Sequence, residues 1–216
     1  MTVGLGSGST AEAFIRELGR RVQNGLAITG VPTSEHSAAV ATDLGIPLTG
    51  LDDAGRLDVG VDGADEIDPA LDLVKGRGGA LLHEKLVALA CDRYVIIAAS
   101  EKLVTRLGTR MPLPVEVIPF GWRLTARRLA AIGLDATPRM IGDGDSDFFV
   151  SDGGHYILDC VAGQSIARLA DLALPIKVIP GVVDHGLFTG MADRVIVVDA
   201  MGTVRKLDRS LAPEQR

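Results

Sequence analysis

The sequence predicts an α/β protein: a doubly wound, mostly parallel sheet joined to a second, smaller α+β domain. Short apolar runs alternate with segments of helical periodicity through the first half of the chain, the pattern of parallel strands linked by crossover helices. Glycine is abundant, at 26 residues, and only 4% of residues are aromatic, a balance that favours short elements joined by tight turns. At Met111-Pro112-Leu113-Pro114 the alternation changes, and the runs that follow read strand, helix, strand, strand, helix, strand.

In order, residues 2–5 form a short strand that meets the loop Gly6-Ser7-Gly8, after which Ala11, Phe14, Ile15 and Leu18 recur at helical spacing. Residues 26–31 read as a second strand. Residues 34–44 read as a helix, with Ser34 as N-cap and Gly45 as its stop. Residues 57–62 are a third strand, 75–79 a second glycine loop and 80–91 an amphipathic helix. The continuous apolar run 94–99 suits a strand buried on both faces. This is a Rossmann-like order. Beyond the proline pair come strand 115–118, helix 125–132, strands 137–141 and 156–160, a helix around 165–172 and a strand near 182–187, the βαββαβ order of a ferredoxin-like unit. The expected division is therefore 1–112 plus 186–216 for the Rossmann-like domain, re-entered through the strand 194–198, and 113–185 for the ferredoxin-like one.

Hydrophobic residues at 47% and charged residues at 23% describe a packed globular chain and exclude a disordered tail, a collagen-like repeat and a coiled coil. The net charge is −6 and no basic run offers a phosphate-neutralising patch, which argues against nucleic acid as a partner. Residues 52–72 carry eight carboxylates against the single Arg56, a run that composition alone reads as a solvated face. No apolar run is long enough for a membrane span and the first residues lack the pattern of a signal peptide, so the expected compartment is the cytoplasm. Cys91 and Cys160, far apart in apolar surroundings, suit reduced and buried thiols.

Four places carry candidate chemistry. Gly6-Ser7-Gly8-Ser9-Thr10 lies where a strand meets a helix N-terminus, a natural anion site, and its three hydroxyls suit a terminal phosphate. Gly6, Gly8 and Ala11 also match a dinucleotide fingerprint, with Glu35 near the place of its ribose-binding acid, so a nicotinamide cofactor is a rival guest. Asp62-Gly63-Ala64-Asp65 follows a strand end, where two carboxylates serve sugar hydroxyls or, in the plainer reading, cap a turn. Lys75-Gly76-Arg77-Gly78 places a cation on a glycine loop, suited to an oxyanion or a phosphate. Glu84, one turn into the next helix, is a candidate general base, although most helix glutamates are only solvated. Two apparent metal signals fail: His83-Glu84-Lys85 lacks the second histidine of a zinc motif, and the stretch from Asp143 to Asp147 has Phe148 where a calcium loop needs glycine.

Taken together, Gly6-Ser7-Gly8-Ser9-Thr10, Val61-Asp62-Gly63-Ala64-Asp65-Glu66-Ile67, Lys75-Gly76-Arg77-Gly78-Gly79-Ala80, Glu84-Lys85 and Pro112-Leu113-Pro114-Val115-Glu116-Val117-Ile118-Pro119 closely resemble ribose-5-phosphate isomerase of the A type, in order and spacing over nearly the whole chain. The resemblance implies interconversion of D-ribose 5-phosphate and D-ribulose 5-phosphate in the non-oxidative pentose phosphate pathway, without metal or organic cofactor, by a homodimer or homotetramer. It also implies a phosphopentose held by Ser7, Gly8, Ser9, Thr10, Asp62, Gly63, Ala64, Asp65, Lys75, Gly76, Arg77, Gly78 and Lys102. Glu84 falls on the family's proton acceptor. Lys75 would offset enediolate charge, Asp62 would assist ring opening and proton shuttling, and Asp65 would orient Lys75 or the sugar. One departure stands out: the chain starts almost inside its first strand, without the helix family members carry before it, which implies an upstream start or a member lacking that helix. A non-catalytic phosphosugar-sensing domain is the alternative from another class, weakened by the joint presence of Glu84 and Lys75 and by the lack of room for a helix-turn-helix before Thr2 or after Arg205.

Overall fold

The computed structural model describes residues 1–142, 147–163 and 166–209. Strand β1 (Thr2–Leu5) buries all but its first residue and leads into α1 (Ser9–Gln23), whose Ala11, Ile15 and Leu18 turn one apolar stripe onto the sheet. Next come β2 (Thr29–Pro32) and α2 (Glu35–Asp43). Ser34 caps α2 as expected: its hydroxyl accepts from the Ser37 N–H, and the Ser37 hydroxyl accepts from the Ser34 N–H, each at 3.1 Å. A single turn, α3 (Leu51–Ala54), precedes β3 (Val59–Asp62), β4 (Glu66–Ile67), β5 (Leu73–Val74), α4 (Leu81–Ala90) and β6 (Tyr94–Ala99).

The second half holds β7 (Leu113–Val117), α5 (Trp122–Ala131), β8 (Leu134–Pro138), β9 (Tyr156–Ala162), α6 (Ala173–Lys177), β10 (Val182–His185), β11 (Leu187–Phe188), β12 (Arg194–Val198) and β13 (Val204–Asp208). Three expectations shift here. The strand placed at 137–141 lies at Leu134–Pro138, paired with β9 from Leu134↔Ala162 to Pro138↔Leu158. In place of a helix around 165–172 there is a 3-10 turn, Leu169–Leu172, followed by α6; Pro175 sits in the first turn of α6, where its missing N–H leaves no bond unmade. Ser165, and residues 143–146 of the failed calcium signal, lie outside the described residues. The run expected near 182–187 is two strands in two different sheets.

Six strands form the main sheet in the order β13-β12-β6-β3-β1-β2, all parallel except the edge strand β13, which the sequence reading did not foresee. A second sheet, β10-β7-β9-β8, is wholly antiparallel and closes over Leu113, Val115, Val117, Leu129 and Leu158. A third, β11-β5-β4, escaped prediction because its strands are two residues long. The chain leaves β1 for β2 on one side and returns to set β3 on the other, so the order reverses between β1 and β3. That reversal opens a crevice at the carboxyl ends of both strands.

The acidic stretch is only in part the solvated face that composition suggests: Asp52, Asp53 and Asp58 are exposed. Asp62, Glu66 and Asp72 are buried. Glu66 accepts from the N–H groups of Gly108, Arg110 and Met111, at 2.5, 2.5 and 2.9 Å, and thereby folds the connection to β7 against β4. Asp72 pairs with Arg168 at 2.8 Å and accepts from the Gly190 N–H at 2.9 Å. Charged hydrogen bonds of this kind are the stronger ones, and three backbone donors lose their partner together if the buried Glu66 carboxylate is cut back. Glu66→Ala should therefore lower unfolding free energy by at least about 2 kcal/mol, read as a urea midpoint shift at constant m. A loss below about 0.5 kcal/mol would show that the segment has other support.

Candidate active site

The crevice between β1 and β3 dictates which residues meet. The Gly6 N–H donates to the Val61 carbonyl at 3.0 Å, and a Cβ on Gly6 would lie 2.2 Å from Asp62 Cγ, so only glycine lets the two strand ends close. Beyond Gly6, the Ser7 hydroxyl lies 2.8 Å from both Thr33 Oγ1 and Ser34 Oγ and is committed to holding the loop. Ser9 and Thr10 are exposed at the start of α1, where unpaired N–H groups favour an anion.

Opposite this loop the charges converge. Lys75, at the end of β5, is 2% exposed; its Nζ donates to the Gly63 carbonyl at 2.6 Å and lies 3.1 Å from Asp62 Oδ2 and 3.4 Å from Glu84 Oε1. Asp62 Oδ1 accepts from the N–H groups of Ser7 (3.1 Å) and Gly63 (2.7 Å), and Oδ2 accepts from the Tyr94 hydroxyl at 3.1 Å. With these donors and Lys75, both of its oxygens are occupied, and it forms the floor beneath the cleft rather than part of the wall. Glu84, on the first turn of α4, does reach the wall, and its Oε2 is buried without a partner. Burial, only partly countered by Lys75 and reinforced by Asp62, pushes the Glu84 carboxyl up to about 8. Burial also works against the Lys75 charge, but Asp62 and Glu84 outweigh it and hold the ammonium above the ordinary lysine range. Burial next to Asp62 pushes the Tyr94 phenol up, keeping it a hydrogen-bond donor.

Asp65 accepts from the Arg77 N–H at 3.0 Å, so it orients the glycine loop rather than the Lys75 ammonium. Lys102 reaches the rim from the 3-10 turn after β6. The resulting cleft is about 350 Å³ and is lined by residues 7–10, 63–65, 75–78, 84 and 102. Every site residue that the family resemblance implies meets here, with Asp62 just below the surface. Glu35 does not: it opens α2, its N–H donates to Asp152 Oδ2 at 3.0 Å, and it stands outside the lining, which removes the acid from the dinucleotide fingerprint. Sequence reasoning missed Tyr94, which reads as core, and Gly186, whose Cβ would lie 2.1 Å from the Lys75 carbonyl oxygen. It also missed Phe188, whose ring lies 5.6 Å from Lys75 Nζ and 4.9 Å from Lys85 Nζ. Among the described residues no three His, Cys, Asp or Glu side chains stand together as metal ligands.

Residues 29–202 match the family described as ribose 5-phosphate isomerase A (phosphoriboisomerase A). The chain belongs to this family. It is 52% identical to a ribose-5-phosphate isomerase A from Rhodopseudomonas palustris, an alignment that spans 97% of this chain and 91% of that one. The ribose 5-phosphate isomerase A structure from Methanocaldococcus jannaschii superposes with a TM-score of 0.88 at 39% identity, covering 96% of this chain and 91% of the other. A D-ribose-5-phosphate isomerase solved in complex with phospho-erythronic acid gives 0.90, also at 39% identity, over 97% and 91%. Within the ribose 5-phosphate isomerase A family, then, this chain carries a lysine buried between two carboxylates, only one of which faces the cleft.

Titration of Glu84 has a thermodynamic sign. Its folded value of about 8 lies above the ordinary 4.5, so the folded chain keeps a proton that the unfolded chain releases. The stability this group contributes is full below 4.5 and is lost as pH rises towards about 8. Urea midpoints across that range should fall in the parent and fall less in Glu84→Gln; identical slopes would remove Glu84 as the titrating group.

Proposed function

We propose that this cleft interconverts D-ribose 5-phosphate and D-ribulose 5-phosphate through an enediolate, with Glu84 carrying the proton between C2 and C1. The chain's family supports the overall reaction and its place in the pentose phosphate pathway. The observation that carries the mechanism is the buried Glu84 carboxyl, with an unpartnered oxygen on the cleft wall and its pKa raised towards neutrality. A carboxylate so destabilised is a stronger base than a solvated one, and a general base works best when its pKa lies near the operating pH.

On the open-chain aldose, Glu84 takes the C2 proton as the C1 carbonyl becomes an enediolate oxygen. The hydroxyl proton on O2 then passes to O1, and Glu84 returns its proton to C1, leaving the C2 ketone. Charge grows on the two oxygens, and the Lys75 ammonium opposes it. Of the three Lys75 contacts, the 3.4 Å approach to Glu84 is the loosest and the one a substrate oxygen replaces. Asp62 keeps Lys75 charged and in place, a role its hydrogen bonds support better than proton shuttling. Ser9, Thr10 and the start of α1 face the phosphate, with Lys102 across the rim; a four-carbon phosphorylated acid bound by a structural neighbour supports a site of this size.

The strand order of the β10-β7-β9-β8 sheet, and a hydrophobic cluster drawn mainly from its own strands and α5, support a ferredoxin-like domain at 113–185 beside a Rossmann-like domain formed by 1–112 with 186–216. Exposed Leu86 and Leu89 on α4 support assembly into a homodimer or homotetramer. The free thiols of Cys91 and Cys160 support a cytoplasmic location.

Conversion of ribose 5-phosphate should proceed in EDTA. Glu84→Gln should lower kcat by at least about 10²-fold with KM nearly unchanged. Near-normal turnover in the folded variant would exclude Glu84 as the base, and an inactive parent that still binds the phosphosugar would point to a sensing domain. In the parent, log kcat/KM should rise with pH and level near the Glu84 value of about 8, because only the deprotonated carboxylate accepts a proton. A flat profile through that range would contradict the assignment.

A further inference from the structure

Arg139 lies just past β8, on the smaller sheet, and nothing in its sequence context marks it as functional. In the structure each of its three guanidinium nitrogens donates. Nε donates to Asp159 Oδ2 at 2.9 Å and a second nitrogen to Asp159 Oδ1, a two-point grip that fixes the plane of the group. The remaining nitrogen donates to two backbone carbonyls of the cleft loop, those of Gly76 at 2.9 Å and Arg77 at 2.8 Å. Phe149, whose N–H donates to the Arg139 carbonyl at 2.9 Å, packs where a Cβ on Gly79 would sit, 2.3 Å away. The small unit therefore holds the far side of the loop at two neighbouring points.

Peptide geometry turns that grip into a statement about the cleft. Every peptide bond in the described residues is trans, so the C=O and N–H of one peptide unit point in opposite directions. The Gly76 carbonyl faces Arg139, and the Arg77 N–H of the same unit reaches Asp65 on the cleft side. In the next unit the Arg77 carbonyl also faces Arg139, so the Gly78 N–H points the other way. Gly78 lines the cleft, and its N–H has no hydrogen-bond partner among the described residues.

Building on the isomerase reading above, we propose that Arg139 is a positioning residue for the reaction: by holding the carbonyls of Gly76 and Arg77 it aims the Gly78 N–H at the substrate oxygen that gains charge. A lysine cannot replace it, because one ammonium lacks the planar fork that spans Asp159 and both carbonyls. A hollow of about 280 Å³, lined by Asp65, Arg77, Met111, Arg139 and Asp159 and sharing Asp65 and Arg77 with the cleft, opens onto the guanidinium. A free guanidinium ion can enter there when the side chain is cut back.

The test combines kinetics with calorimetry on folded protein. Arg139→Ala should lower kcat by about 10²-fold, the scale of one lost preorganised donor, with a much smaller change in KM. Millimolar guanidinium chloride should restore part of that rate in Arg139→Ala but not in Lys75→Ala. Phospho-erythronic acid should bind the variant at least about tenfold more weakly, while inorganic phosphate, held at the start of α1, binds as before. If Arg139→Ala does not fold, Arg139→Lys and Asp159→Asn carry the same comparison with smaller losses in the same direction. Unchanged kcat and unchanged phospho-erythronic acid affinity would overturn the proposal, as would a loss that guanidinium cannot restore and that falls equally on phosphate. A parent chain that fails to isomerise would instead overturn the isomerase reading, and the calorimetric comparison would still judge Arg139.

Discussion

The structure turns on one buried cation. Lys75 has lost almost all contact with water, a state tolerable only because Asp62, Glu84 and the Gly63 carbonyl surround its ammonium. Each of those partners comes from a different element: the end of β3, the first turn of α4 and the turn after β3. The fold must therefore bring the ends of β3 and β5 and the first turn of α4 to one point before the charge can be buried. In return the charge ties those elements together, and the same grouping that stabilises the lysine leaves one glutamate oxygen without a partner. Stability and reactivity are thus divided between the two carboxylates: Asp62 is saturated with donors and holds the site, while Glu84 is left short of them.

Much of this was legible from residue order. The parallel sheet could be read because each strand and helix there carries its own periodicity and its own punctuation, such as the Ser34 cap. The site could be read because its residues cluster in four short motifs at strand ends, where an open sheet places its ligands. What stayed hidden depends on distance in space rather than pattern. The two-residue strands β4, β5 and β11 have no periodicity to detect, yet Lys75 follows directly on β5. Glu66 and Asp72 look like members of a solvated acidic run, and only the partners supplied by residues 108–111, 168 and 190 show why they are inside.

The three hydroxyls of the first loop show the same limit on a smaller scale. Sequence treats Ser7, Ser9 and Thr10 as equivalent, but Ser7 turns inward to Thr33 and Ser34 while its N–H serves Asp62. Residue type suggests the chemistry available at a position; the packing of α2 against the loop decides which groups remain for a ligand. Asp65 is a parallel case, a carboxylate on the cleft lining with one of its two oxygens accepting from the Arg77 N–H.

The short sheet β11-β5-β4 has a consequence for how the chain is made. Lys75 is held by a backbone bond from its N–H to the Gly186 carbonyl, and β5 pairs with Leu187 and Phe188. Although the four motifs are all translated early, the strand that leads into the lysine is paired on one edge only, by β4, until β11 has emerged from the ribosome. A nascent chain halted before Gly186 would hold every recognised motif and every partner of the ammonium, yet lack the backbone bond and the outer strand that fix Lys75 in register, so the support of the site is completed late in synthesis although its sequence is written early.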